Sequence, residues 1–409
     1  MGRILKFAGV LVPWISFLGY AIGQEVHQVL IVDGISSSPA NQRSRILLFD
    51  TETGKTLAQA ETGYWPDVAV SAKGDRVVVV TDDMQGQEIQ GQSRLTLLKS
   101  SDLTQLQSGI LPSPRNVRRT WSSTPRLHFS PDNTEIVIQQ MESTLTEEQP
   151  KPRTFDRILL NCVDLSSGRD GKMTFSRRTV AVPRCRFVVF LRSEDWPRIT
   201  VWNDNLGALE VVDFDRGEIL SRMSMDDDPF FRQASILTFE KPNVGTATSR
   251  LSSPRGETIS ADGRFAYYIP RRLSRGDLGF LKRVSLVKDP PTTVVLNGAR
   301  QAEFRPAVAA VTESGHTLFI VKNKIQGAAQ VASHVVKRFR TDSLAPLSDI
   351  DLPLESCDDL EVSRDGKRLY ALDRENARLA VIDVASGRII KVHEKMADYP
   401  VAVFPLPST

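Results

Sequence analysis

The stretch LEVSRDGKRLYALDRENARLAVIDVASGRIIKV, from Leu360 to Val392, decides the fold. Its apolar residues alternate over short runs separated by polar turns, the period of half-buried strands rather than of a helix. A first strand ends in the turn Ser363-Arg364-Asp365-Gly366-Lys367, and a second follows with Leu369, Tyr370, Ala371 and Leu372. A third, Leu379 to Asp383, turns at Val384-Ala385-Ser386-Gly387 into a fourth, Ile389 to Val392. One such four-stranded cassette cannot cover its own apolar faces, so tandem copies must stack on each other.

Degenerate copies run along the whole chain. The first turn recurs at Ser71-Ala72-Lys73-Gly74-Asp75, Ser130-Pro131-Asp132-Asn133-Thr134, Ser260-Ala261-Asp262-Gly263-Arg264 and Thr312-Glu313-Ser314-Gly315-His316. The hairpin between third and fourth strands recurs from Ile46, Leu95, Ile158 and Leu209, in weaker form near Leu281 and His334, and from Leu379. Seven hairpins predict an all-β fold, a seven-bladed β-propeller of four-stranded antiparallel blades. In these hairpins Asp50, Asp164, Asp213 and Asp383 are placed to accept backbone N–H bonds within the turn. Gly54, Gly168, Gly217 and Gly387 are placed to take positive φ. Carboxylates spread over four separate cassettes cannot pool into one metal site, and no metal is expected.

The two ends of the chain complement each other. Val26 to Val32 reads as a second strand with no first strand before it, while Tyr399-Pro400-Val401-Ala402-Val403-Phe404 copies the first strand Trp65-Pro66-Asp67-Val68-Ala69-Val70. Pairing of this C-terminal strand with the N-terminal hairpin would close the array and protect its sheet edges.

Residues 1–23 carry Arg3 and Lys6, an apolar run from Phe7 to Tyr20, and the small residues Ala21 and Gly23, the pattern of a cleaved secretory signal peptide. The expected product is a secreted or periplasmic single domain over residues 24–409, with no membrane contact beyond the signal. Loss of Arg3 and Lys6 from the 52 basic residues leaves 50 against 49 acidic ones. A nearly neutral chain gives no reason to expect nucleic acid or an anionic membrane as partner. Of the three cysteines, Cys162 and Cys185 are candidates for a disulfide, with Cys357 left over.

Chemistry-bearing motifs are sparse. The chain has no CxxCH or CxxC, no Gly-rich phosphate loop, no GxSxG and no HExxH, so no cofactor is expected to reside in it. Its five histidines show no ligand spacing. Aligning the cassettes puts Asp67, Arg126 and Asp359 at the channel-facing entrance of their first strands, with Gly256, Val308 and Pro400 at the equivalent positions. A mouth of mixed charge suits structural ion pairs, or a small-molecule or peptide site on that rim.

The pattern P-x-x-V-A-V-S-x-x-G-x-x-V-x-V followed by V-I-D-x-x-x-G resembles the YVTN and WD40-like repeats of secreted bacterial propellers. The run Gly91 to Leu98, with Leu103, Ile110-Leu111-Pro112, Arg118, Trp121 and Leu127 to Asp132, is similar to amine dehydrogenase heavy chains, as are Val362 to Asp365 and Leu369 to Leu372. That resemblance implies a periplasmic seven-bladed propeller docking a small cysteine-rich light chain that holds a tryptophan-derived quinone. Cys185 matches one half of that family's blade-four disulfide, but Val201-Trp202-Asn203-Asp204 stands where the other half belongs. The expected function is a non-catalytic scaffold that binds a protein or ligand on one rim. The alternatives are a heavy-chain-like subunit of a quinone-dependent amine dehydrogenase and a lactonase-like hydrolase.

Overall fold

In four cassettes a first-turn Ser or Thr is the local device that reverses the chain. The Ser71, Ser130 and Ser363 hydroxyls each accept the N–H five residues on, at 3.0, 2.9 and 2.8 Å, while the same residues' N–H groups bond back to the carbonyls of Arg76, Glu135 and Arg368. Thr312 does the same with Thr317, at 3.1 Å. A short side chain thus reverses the chain within five residues. In the other turn, Asp50 accepts the N–H groups of Glu52 and Thr53, Asp213 those of Asp215 and Arg216, and Asp383 that of Ser386. Gly54, Gly217 and Gly387 follow at φ 77°, 70° and 73°, conformations that cost a Cβ-bearing residue strain.

The computed structural model describes residues 27–34, 43–71, 73–85, 88–111, 127–142, 157–165, 178–183, 188–192, 196–203, 208–224, 258–259, 265–268, 282–285, 293–295, 309–312, 316–326, 330–343 and 345–407. Among them all regular elements are strands. Strands β1 (Gln28–Gly34), β2 (Arg43–Asp50), β3 (Lys55–Val70), β4 (Arg76–Gln85), β5 (Glu88–Lys99) and β6 (Gln105–Leu111) form one sheet. The next is built from β7 (Leu127–Phe129), β8 (Glu135–Glu142), β9 (Arg157–Asp164) and β10 (Arg178–Pro183), and a third from β11 (Val188–Arg192), β12 (Arg198–Asn203), β13 (Ala208–Asp213) and β14 (Glu218–Ser224). A fourth contains β15 (Thr258–Ile259), β16 (Phe265–Tyr268), β17 (Lys282–Ser285) and β18 (Thr293–Val295), and a fifth β19 (Ala309–Val311), β20 (Thr317–Gln326), β21 (Gln330–Arg340) and β22 (Ile350–Leu352). The last comprises β23 (Asp359–Val362), β24 (Arg368–Asp373), β25 (Arg378–Asp383) and β26 (Ile389–His393). Strand β27 (Pro400–Pro405) returns to the first sheet and pairs antiparallel with β1, Ile31 opposite Val403 and Val32 opposite Ala402. All seven predicted hairpins are antiparallel pairs.

One difference from the sequence reading lies in β3. Two strands were expected between Lys55 and Val70, the fourth of one cassette and the first of the next; a single 16-residue strand spans both. Its first part pairs with β2 and its second with β4, with a register break between Tyr64 and Asp67. Pro66 falls inside that break, where its missing N–H is not needed by the ladder. The first sheet therefore contains seven strands, in the order β27-β1-β2-β3-β4-β5-β6, whereas each other sheet has four.

Alternation sends successive side chains to opposite faces, and among the described residues five clusters of these side chains form the core. Leu30, Val32, Ile46 and Leu48 pack with Val77 and Val79, while Val29, Ile31, Leu47 and Phe49 pack with Tyr370, Leu372, Leu379 and Val381 of the last sheet. Val78, Val80, Leu95 and Leu97 meet Ile136, Ile138 and Val163. Val137, Leu160 and Val180 meet Ile199, Val201 and Val212, and Phe319, Val321 and Val336 meet Leu369, Ala371 and Ile382. Each fully buried aliphatic side chain of this kind contributes about 1.5–3 kcal/mol.

Candidate functional site: the rim of first-strand entrances

Antiparallel order puts the starts of β23 and β27, the ends of β1 and β24, and the start of β2 on one rim, opposite the Ser turns. Two predicted entrance residues are described there. Asp67 is buried and stands opposite Val80, its Oδ1 accepting the Val68 N–H at 3.1 Å. Asp359 is buried opposite Leu372; its Oδ1 accepts the Leu360 N–H at 3.1 Å and its Oδ2 the Val403 N–H at 2.8 Å. The carboxylate of Asp359 thus ties the last sheet to the returning strand β27. Arg126, the third predicted member, lies outside the described residues, as does Cys185 of the predicted disulfide.

Cys162 is a buried thiol in β9 with Arg178 Nη2 at 3.3 Å, and it carries no disulfide. Burial pushes this thiol up to about 12. Cys357 is also buried and pushed up by burial, its Sγ 3.5 Å from the Asp359 carbonyl. Neither is a ready nucleophile, because only the thiolate attacks.

Several rim residues not singled out from the sequence carry more of its electrostatics. Asp33, fully buried at the end of β1, accepts the Tyr399 N–H at 2.7 Å and Arg45 Nε at 2.8 Å; Arg45 also reaches Asp398 at 2.8 Å. Asp373, fully buried at the end of β24, accepts the N–H groups of Glu355, Ser356 and Asn376, the Ser356 hydroxyl at 2.8 Å and Asn376 Nδ2 at 3.0 Å. Burial pushes the Asp373 carboxyl up, but hydrogen bonds from Asn376 and Ser356 outweigh it and hold the group below the ordinary range. Arg374 follows it into the β24–β25 turn, buried, with its guanidinium carbon 5.9 Å from the Tyr399 ring centre. Two histidines bond to backbone carbonyls: His393 Nε2 donates to the Thr51 carbonyl at 2.8 Å, its ring edge-on to Phe49 at 5.0 Å, and His334 Nε2 lies 2.6 Å from the Glu355 carbonyl.

Stacked four-stranded antiparallel sheets with a returning strand define a β-propeller-like all-β protein. No protein-family model and no curated protein matches the sequence. Solved structures do resemble it. A periplasmic gluconolactonase of Pseudomonas aeruginosa shares 14% identity at a TM-score of 0.54, covering 94% of this chain and 100% of that one. Hydrazine synthase of Kuenenia stuttgartiensis shares 13% at 0.51, over 85% and 94% of the two chains. A protein from Lactobacillus plantarum shares 12% at 0.54, over 93% and 99%. At such identities the likeness is one of fold.

Proposed function

We propose that the chain is a secreted or periplasmic seven-bladed β-propeller, closed by β27, that acts as a non-catalytic scaffold binding a protein or small ligand on the entrance rim. Division of β3 at its register break turns the seven-stranded first sheet into two four-stranded units, which with the other five sheets supports seven blades. Packing of the last sheet on the first supports a closed ring. The observation that carries the scaffold reading is Asp359. Both its oxygens are held by backbone N–H groups of two different strands, so the carboxylate is committed to joining the sheets.

The reading assigns the signal to residues 1–23 and places no cofactor in this chain. Purified from its native envelope, the mature protein is expected to carry a bound partner or ligand and to leave gluconolactone unhydrolysed beyond the buffer rate. A second reading, a lactonase-like hydrolase, is favoured by the likeness to a gluconolactonase. Lactone turnover abolished by Asp67→Ala would establish it. A co-purifying small cysteine-rich subunit bearing a quinone would instead establish the amine dehydrogenase heavy-chain reading.

A further inference from the structure

The turn after β24 holds a cation that the described residues leave without an acceptor. Arg374 is 6% exposed, and neither its Nε nor its Nη2 has a hydrogen-bond partner among them. The adjacent Glu375 is exposed, and the two carboxylates bonded around this turn, Asp373 and Asp358, are committed elsewhere. Asp373 is filled by Glu355, Ser356 and Asn376, and Asp358 Oδ2 accepts the Ser356 hydroxyl at 2.9 Å and the backbone N–H of Arg374 itself, not its side chain, at 3.0 Å. Farther round the rim Asp33 and Asp398 are occupied by Arg45. The Tyr399 ring attracts the guanidinium but accepts none of its N–H bonds in the plane of the fork.

A guanidinium stays charged at any working pH, and burying one with its donors unmet is costly unless something answers them. Its planar fork matches two oxygens of a carboxylate or phosphate, and such charge-assisted pairs are among the strongest polar contacts. Arg374 also sits on the rim where β23 and β27 begin, the face assigned above to ligand. We propose that Arg374, backed by the Tyr399 ring, is the receptor for an oxyanion group, carboxylate or phosphate, of a ligand that enters from this rim. The proposal rests on the ligand-binding reading and adds the charge of what is bound.

The test is calorimetric titration of the full chain with inorganic phosphate and, separately, sodium gluconate, at constant ionic strength set by chloride. Saturable binding of either anion that weakens about ten- to a hundredfold in Arg374→Met supports the proposal. Binding of phosphate alone assigns a phosphate ligand, and binding of gluconate alone a carboxylate ligand. Equal affinity in wild type and variant, or binding of neither anion, overturns it. Should Arg374→Met fail to fold, Arg374→Gln gives the same reading, and unchanged affinity there is equally fatal. The scaffold reading fails by other signs, lactone turnover or a quinone-bearing subunit, neither of which requires Arg374.

Discussion

Asp359→Ala tests the clamp between the last sheet and the returning strand. The substitution strips the acceptor from two N–H groups, Leu360 at 3.1 Å and Val403 at 2.8 Å, and Val403 is fully buried. A buried donor left unpaired costs about 1–3 kcal/mol. Two therefore cost about 2–6 kcal/mol, less the relief of no longer burying a charge, so about 3 kcal/mol is expected. With unfolding entropy of about 2.1 cal/mol/K per residue over roughly 380 residues, this lowers Tm by about 4 °C. Calorimetry on wild type, Asp359→Ala and the exposed-turn control Asp102→Ala reads the shift, and deuterium exchange over residues 400–405 reads its place. Loss of protection should concentrate in that peptide. A Tm within 1 °C of wild type, or exchange unchanged there, refutes the clamp.

Burial lowers the His393 pKa below 6.5, against the pull of Asp50 and Glu52 and with the help of Lys391. A depressed folded pKa favours the neutral ring, so its contribution is present above pH 6.5 and is lost as pH falls through the folded value. Between pH 7 and 5 the Tm of wild type should fall more than that of His393→Phe, and parallel profiles would contradict this. Gly74 has φ 72°, and a Cβ there would stand 2.1 Å from Pro407 Cδ. Gly74→Ala should destabilise by about 1–3 kcal/mol and loosen residues 406–407, read by the denaturation midpoint and by carboxypeptidase trimming. Iodoacetamide at pH 8 should leave Cys162 and Cys357 unlabelled in the native protein and label both on denaturation, with peptide mass as the readout; native labelling would contradict their raised pKa values.

What the sequence revealed was whatever local chemistry decides. The Ser turns at Ser71, Ser130 and Ser363 close within five residues, so their bonds are implied by the residues alone. The return of β27 was also legible, because Tyr399 to Phe404 repeats the pattern of Trp65 to Val70 beside a first strand that lacked a partner. The continuity of β3 was not, since the repeat pattern assigns Lys55 to Val70 to two cassettes, and only the ladders with β2 and β4 hold it as one strand. Asp67 and Asp359 were found as entrance residues, but their use was not. Asp359 bonds a strand 44 residues away, a fact of tertiary geometry. Arg374 was not singled out in the sequence, for the Tyr399 ring that lies against it comes from 25 residues farther along the chain.

The pairing of Gln28–Gly34 with Pro400–Pro405 has a consequence for synthesis on the ribosome. Strand β1 is made long before β27, and until β27 arrives β1 presents an open row of N–H and C=O groups and the uncovered side chains of Val29 and Ile31. That edge is the part most in need of a chaperone, and a chain cut short before residue 400 would keep it uncovered and sticky.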